Sequence, residues 1–157
     1  MRRGRRLGVD VGDVRIGVAM CDPDGMIATP VETVPAGPAA HARLLQIASE
    51  IEVVEIVVGL PLSLSGREGP AAGKVRAFVQ VLAAMSDRPV RLVDERLSTV
   101  TAGSQLRDSG RTGRGTRRVI DQAAAVVILQ NALDAERTRG HAPGELVVVG
   151  EPTEGEA

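Results

Sequence analysis

The sequence predicts an α/β fold: a mixed sheet, built from an antiparallel three-strand meander and then parallel strands, flanked by helices. Three observations predict it. Apolar residues alternate with small or polar ones through the N-terminal region, with very short gaps between the runs. Further on, short apolar runs take turns with helix-spaced patterns. No linker-like stretch or internal repeat divides the chain. Strands joined by tight turns pair antiparallel, and strands separated by helices pair parallel.

Residues 6–12 read as the first strand, with Leu7, Val9 and Val11 on one face and Gly8, Asp10 and Gly12 on the other. Only Gly12-Asp13 separates it from a second strand over 14–22, where Ile16, Val18 and Met20 alternate with Gly17, Ala19 and Cys21. Asp22-Pro23-Asp24-Gly25 is a turn, and 26–34 gives a third strand edged by Pro30. Residues 38–52 are a helix, with Leu44, Ile47, Ala48 and Ile51 at helical spacing. The nearly unbroken apolar run 53–60 reads as a strand buried on both faces. A Gly/Pro/Ser loop over 61–73 leads to a helix over 74–85, and 89–93 is a fifth strand. Residues 98–107 read as a helix capped by Ser98 or Thr99, 109–118 as a loop, and 119–137 as the longest helix. The run 146–149 offers one more short strand.

At 157 residues, 43% hydrophobic and 25% charged, the chain is expected to form one soluble domain over 1–150 with an acidic, disordered tail over 151–157. Phe78 is the only aromatic residue, so the core is aliphatic and gripping bases by aromatic stacking is scarcely available. A single cysteine, Cys21, excludes an internal disulfide and a cysteine-based zinc site. No secretory pattern follows Met1-Arg2-Arg3, and no apolar run reaches the ~18 residues of a membrane span, so a cytoplasmic location is expected. His41 and His141 have no partner spacing and read as surface residues.

Net charge is −1, but it is unevenly spread: residues 1–118 hold 17 basic and 13 acidic side chains, and residues 119–157 hold 2 and 7. Lys74 is the only lysine. Arginine suits bidentate phosphate contacts better than lysine does, although bias toward arginine codons would leave the same trace.

Acids at three places in the chain are the candidates for chemistry. Asp10 stands inside a strand between two glycines, which reads as room for a hydrated cation or a phosphate. Asp94-Glu95 ends the fifth strand, and Asp121 opens the longest helix. Acids at strand ends and a helix start can converge at one sheet edge, where they repel unless a cation neutralises them. All-oxygen sites suit Mg²⁺ or Mn²⁺, and two such ions can activate water and stabilise the leaving oxygen of a phosphodiester. Each acid also has an ordinary reading. Asp121 complements a helix dipole, and Asp94, Glu95 and Arg96 would make a surface ion-pair cluster.

Four motifs give these acids a context. Gly8-Val9-Asp10-Val11-Gly12 with Arg15-Ile16-Gly17-Val18-Ala19 resembles the opening of the YqgF/RuvX family. Val58-Gly59-Leu60-Pro61-Leu62 with Gly66, Asp94-Glu95-Arg96-Leu97-Ser98-Thr99, and Asp121-Gln122-Ala123-Ala124-Ala125 through Gln130 resemble its later motifs, in order. The resemblance implies an RNase H-like fold related to Holliday junction resolvases, and a nuclease that trims the 5′ end of pre-16S rRNA. It implies Asp10, Glu95 and Asp121 as catalytic, metal-holding acids, and favours Glu95 over Asp94. There are departures. Ser63-Leu64-Ser65-Gly66 stands where the family often has Asn-Met-Asp-Gly, and Ala132 where an aromatic is common. Ala124 stands where related resolvases carry a second Asp.

The nucleic-acid contacts expected are Arg15, Arg96, Arg107, Arg111, Arg114, Arg117 and Arg118. Five of them crowd residues 107–118 among glycines, just before Asp121; a solvated loop would have the same composition. Arg2, Arg3, Arg5 and Arg6 read as an extension of that basic surface. The expected partner is pre-rRNA or branched DNA, with no membrane. The alternatives are a junction resolvase, which requires a homodimer, and a non-catalytic ribosome-assembly module. An actin-like ATPase needs a longer chain than this.

Overall fold

The computed structural model describes residues 1–95 and 114–149, with side chains in the second stretch from 122 onward. Arg6–Val11 (β1), Arg15–Cys21 (β2) and Ala28–Pro35 (β3) form the meander. Ala40–Ile51 (α1), Glu55–Leu60 (β4), Pro70–Met85 (α2) and Val90–Asp94 (β5) follow in alternation. Arg114–Arg139 (α3) and Glu145–Leu146 (β6) complete it. The sheet order is β3-β2-β1-β4-β5-β6. β1 and β4 pair parallel, as do β4 and β5, while β6 returns antiparallel on β5. The expected mixed sheet is therefore observed.

Strand alternation sorts two cores. Leu7, Val9, Ile16, Val18, Val58 and Leu92 pack with Leu44, Ile47, Val75, Val79 and Leu82, so α1 and α2 share one face. Ala19, Cys21, Val57 and Val93 pack with Ala125, Ile128, Leu129 and Leu133 of α3 on the other face. That second face is built from small residues, which lets the helix lie close. A Cβ placed on Gly8 would stand 2.7 Å from Leu129 Cβ and 3.0 Å from the Ala125 carbonyl oxygen. Gly8 thus gives its space to α3, and Gly12 gives its to the Arg15 carbonyl 2.5 Å away in the β1–β2 turn. The two glycines flanking Asp10 are packing and turn residues, which corrects their reading as ligand space.

Element ends differ in instructive ways. Helix α2 starts at Pro70, inside the stretch read as loop, because proline at the first helical turn loses no hydrogen bond. Helix α3 starts at Arg114, so Arg114, Arg117 and Arg118 belong to a helix and not to a loop. Arginine is a good helix former, and no proline interrupts 114–139. The expected helix over 98–107 and the tail over 151–157 lie outside the described residues. Strand β6 pairs over two residues, and Val147 then donates its N–H to the Val90 carbonyl at 2.8 Å. No helix among the described residues is long and apolar enough to cross a membrane.

Candidate active site

Parallel strands present their C-terminal ends together, and this is where Asp10 and Glu95 meet. Asp10 is next to last in β1, on the α3 face with Gly8. Gly59 pairs with Val93, two residues before Glu95. The Glu95 backbone N–H donates to the Leu60 carbonyl at 3.3 Å, which continues the β4–β5 pairing one residue past Asp94. Its side chain then folds back over Gly59. A Cβ on Gly59 would stand 2.5 Å from Glu95 Oε2 and 2.6 Å from Ile128 Cδ1. Only a glycine leaves that space.

The result is a carboxyl pair. Glu95 hydrogen-bonds to Asp10, and its pKa is pushed up to about 8 by burial, by the Asp10 charge and by that bond. Two carboxyls in such contact must share a proton or a cation. Glu95 Oε2 is buried with no hydrogen-bond partner among the described residues, a costly state for an oxygen. Hard, converging carboxylate oxygens with an unsatisfied member fit a divalent cation such as Mg²⁺ or Mn²⁺.

Helix α3 brings the third acid's backbone to the same level. It runs antiparallel to β1: Glu136 accepts from Arg6 Nη2 at 3.2 Å, while Leu129 and Ala125 lie over Gly8. Four residues of helix from 125 back to 121 cover about 6 Å. Two residues of strand from Gly8 to Asp10 cover about 6.6 Å. The backbone of position 121 therefore lies toward the Asp10 end of β1.

Other expected residues distribute less simply. Asp94 is exposed. Arg15 opens β2 and is half-buried. Arg96, Arg107 and Arg111 lie outside the described residues. Arg6 is no part of a basic surface, and Arg2, though its side chain is exposed, is paired with two carboxylates. Arg6 is 1% exposed, and Arg2 clamps Glu55 at 3.1 Å and Glu136 at 2.8 Å. Arg91 adds a 3.2 Å bond to Glu55. This network closes the sheet end opposite the acids, because buried guanidinium requires paired carboxylates. His41 is half-buried, stacked 4.1 Å from the Phe78 ring and hydrogen-bonded to the Phe78 carbonyl at 3.1 Å. Gly59 is the residue that sequence reasoning missed. Its signal was available: a glycine inside an otherwise apolar buried strand.

Together these features define an RNase H-like α/β protein with a carboxyl pair at the C-terminal sheet edge. A family model described as "RuvX: Holliday junction resolvase" matches residues 4–135. The chain belongs to the RuvX family. A Streptomyces coelicolor protein named "Putative pre-16S rRNA nuclease" is 64% identical over 152 residues, covering 95% of this chain and 91% of that one. A Thermobifida fusca protein of the same name is 55% identical over 155 residues, covering 94% and 98%. Among solved structures, Thermus thermophilus RuvC in complex with a Holliday junction substrate is similar at TM-score 0.56 and 18% identity, covering 90% of this chain and 99% of that chain. That likeness supports the fold.

Proposed function

We propose that the chain is a metal-dependent nuclease that hydrolyses phosphodiester bonds in the cytoplasm, processing the 5′ end of pre-16S rRNA. The observation that carries this is the half-buried Asp10–Glu95 pair, whose Glu95 Oε2 is buried without a hydrogen-bond partner among the described residues. Asp10, Glu95 and Asp121 would hold Mg²⁺ or Mn²⁺. When bound, such an ion activates water and stabilises charge developing on the phosphoryl oxygens.

The chain's own groups supply the rest. Gly59 keeps Glu95 turned toward Asp10. Helix α3 and β1 hold their acids on rigid elements, which limits misplacement of the reacting groups. Arg15, Arg96, Arg107, Arg111, Arg114, Arg117 and Arg118 bind backbone phosphates, without sequence preference and with steep salt dependence. The names of the relatives support the RNA substrate.

The family description and the RuvC likeness favour a second reading, resolution of branched DNA by a homodimer. One assay separates the two. Purified protein is given labelled pre-16S 5′-leader RNA and a four-way DNA junction, with Mg²⁺, Mn²⁺ or EDTA. Metal-dependent cutting of the RNA, lost in Asp10→Asn, is expected. Cutting of the junction alone, with a dimer on a sizing column, would move the function to resolvase. Unchanged activity in Asp10→Asn would sink both readings.

A further inference from the structure

Across the sheet edge from the carboxyl pair, on the α2 side, lies a cleft of about 410 Å³ that shares Glu95 with it. Glu95, the apolar Val11, Pro61 and Phe78, and the charged Asp13 and Lys74 are among the residues that line it. A mostly apolar lining with a few polar groups, at this size, is the usual form of a small-molecule site. Phe78 is the chain's only aromatic residue, and the structure sets it here, half-buried, its ring held by the stack on His41. Lys74 is the only lysine; its Nζ lies 3.3 Å from Asp13 Oδ1, with both side chains largely exposed. A ribose or base edge has donors and acceptors for both.

We infer that this cleft is a nucleotide subsite: it takes one unstacked nucleotide of the substrate strand, adjacent to the phosphate at Asp10–Glu95, with its base on Phe78. The continuity of the cleft wall with Glu95 argues for this occupant. A strand whose phosphate reaches the carboxyl pair on the α3 side would pass Glu95, the residue the pair and the cleft share, to set its neighbouring nucleoside in the cleft. Base–aromatic contact does not depend on base identity, so the subsite requires an unpaired nucleotide without requiring a particular base. The inference rests on the nuclease reading for its substrate, but its test does not depend on cleavage.

The test is binding of labelled leader RNA to the full chain in EDTA, with an abasic residue placed in turn at each nucleotide around the mature 5′ end of the 16S sequence. Wild type should lose about fivefold to a hundredfold in affinity at one position, the range of a base stacked on an aromatic. Phe78→Leu, and Ala71→Leu as a cleft-filling change at an exposed lining residue, should weaken intact RNA similarly. In both variants the abasic substitution should then cost nothing further. Thermal stabilisation by Mn²⁺ should be unchanged in Ala71→Leu, which separates the subsite from the cation site and shows that the variant is folded. Equal binding of intact and abasic RNA by wild type, or losses that multiply in the variants, would overturn the inference. Absence of cleavage with the abasic effect present would sink the nuclease reading and leave the subsite standing.

Discussion

Glu95 and Gly59 are the residues on which the site turns. Gly59→Ala should displace the Glu95 carboxylate, because the new methyl would lie 2.5 Å from Oε2. The expected result is loss of metal-dependent cleavage by tenfold or more, about 1.4 kcal/mol, measured as kcat/KM on leader RNA. Gly8→Ala has no acid to displace. Its methyl meets the Leu129 Cβ and the Ala125 carbonyl of α3, so it should cost about 1–3 kcal/mol of stability, measured by urea unfolding. The pairing of Asp10 with Glu95 was not legible in the sequence, since spacing along the chain says nothing of which strand ends meet. That Asp10 faces away from Leu7, Val9 and Val11 was legible from alternation, and that Asp94-Glu95 ends a strand from where the apolar run stops. The glycines beside Asp10 misled for a physical reason. A missing Cβ looks the same in sequence whether a ligand or a helix fills the space.

Helix ends carry the next scale of explanation. Helix α1 closes on Glu52, whose φ of 61° is the left-handed conformation that glycine adopts without strain. Glu52→Gly should therefore stabilise the protein by about 0.5–1 kcal/mol, read from the urea midpoint. No increase would mean that the Glu52 side chain compensates for its backbone. Strands were legible to within a few residues because period-two alternation ends sharply at turns. Helix starts were not. Proline reads as a breaker in sequence but is an ordinary first residue for α2, and a glycine-rich arginine stretch reads as loop although α3 begins at Arg114. Propensity is a weak signal there, and packing of the apolar stripe that follows overrides it.

At the scale of the molecule, opposite charge arrangements occupy the two ends of β1. Asp10 and Glu95 crowd negative charge at one end, while Arg2, Arg6 and Arg91 neutralise Glu55 and Glu136 at the other. Arginines at an N-terminus read as a basic surface because unpaired arginine is almost never buried. Nothing local in the sequence announces their distant partners. Hydrogen bonds from Arg2 hold the Glu136 pKa down at about 2. A depressed carboxyl stabilises the fold above its ordinary pKa of 4.5 and loses that contribution as pH falls toward 2. Glu136→Gln should cost about 3 kcal/mol at pH 7, since it strands buried Arg6. The gap to wild type in urea unfolding should narrow below pH 4.5.

Glu95 has the opposite sign. Its raised pKa means that folding takes up a proton, so the cation-free protein should lose stability as pH rises from 4.5 to about 8. A divalent cation must displace that proton to reach Glu95. The most direct measurement is therefore calorimetric titration of Mn²⁺ into the protein at pH 7, in two buffers of different ionisation enthalpy. The nuclease account predicts saturable binding with release of close to one proton in wild type, and little release together with weakened binding in Glu95→Gln. Binding with no proton release, or binding equally strong in Glu95→Gln and Asp10→Asn, would contradict the claim that this carboxyl pair is the cation site.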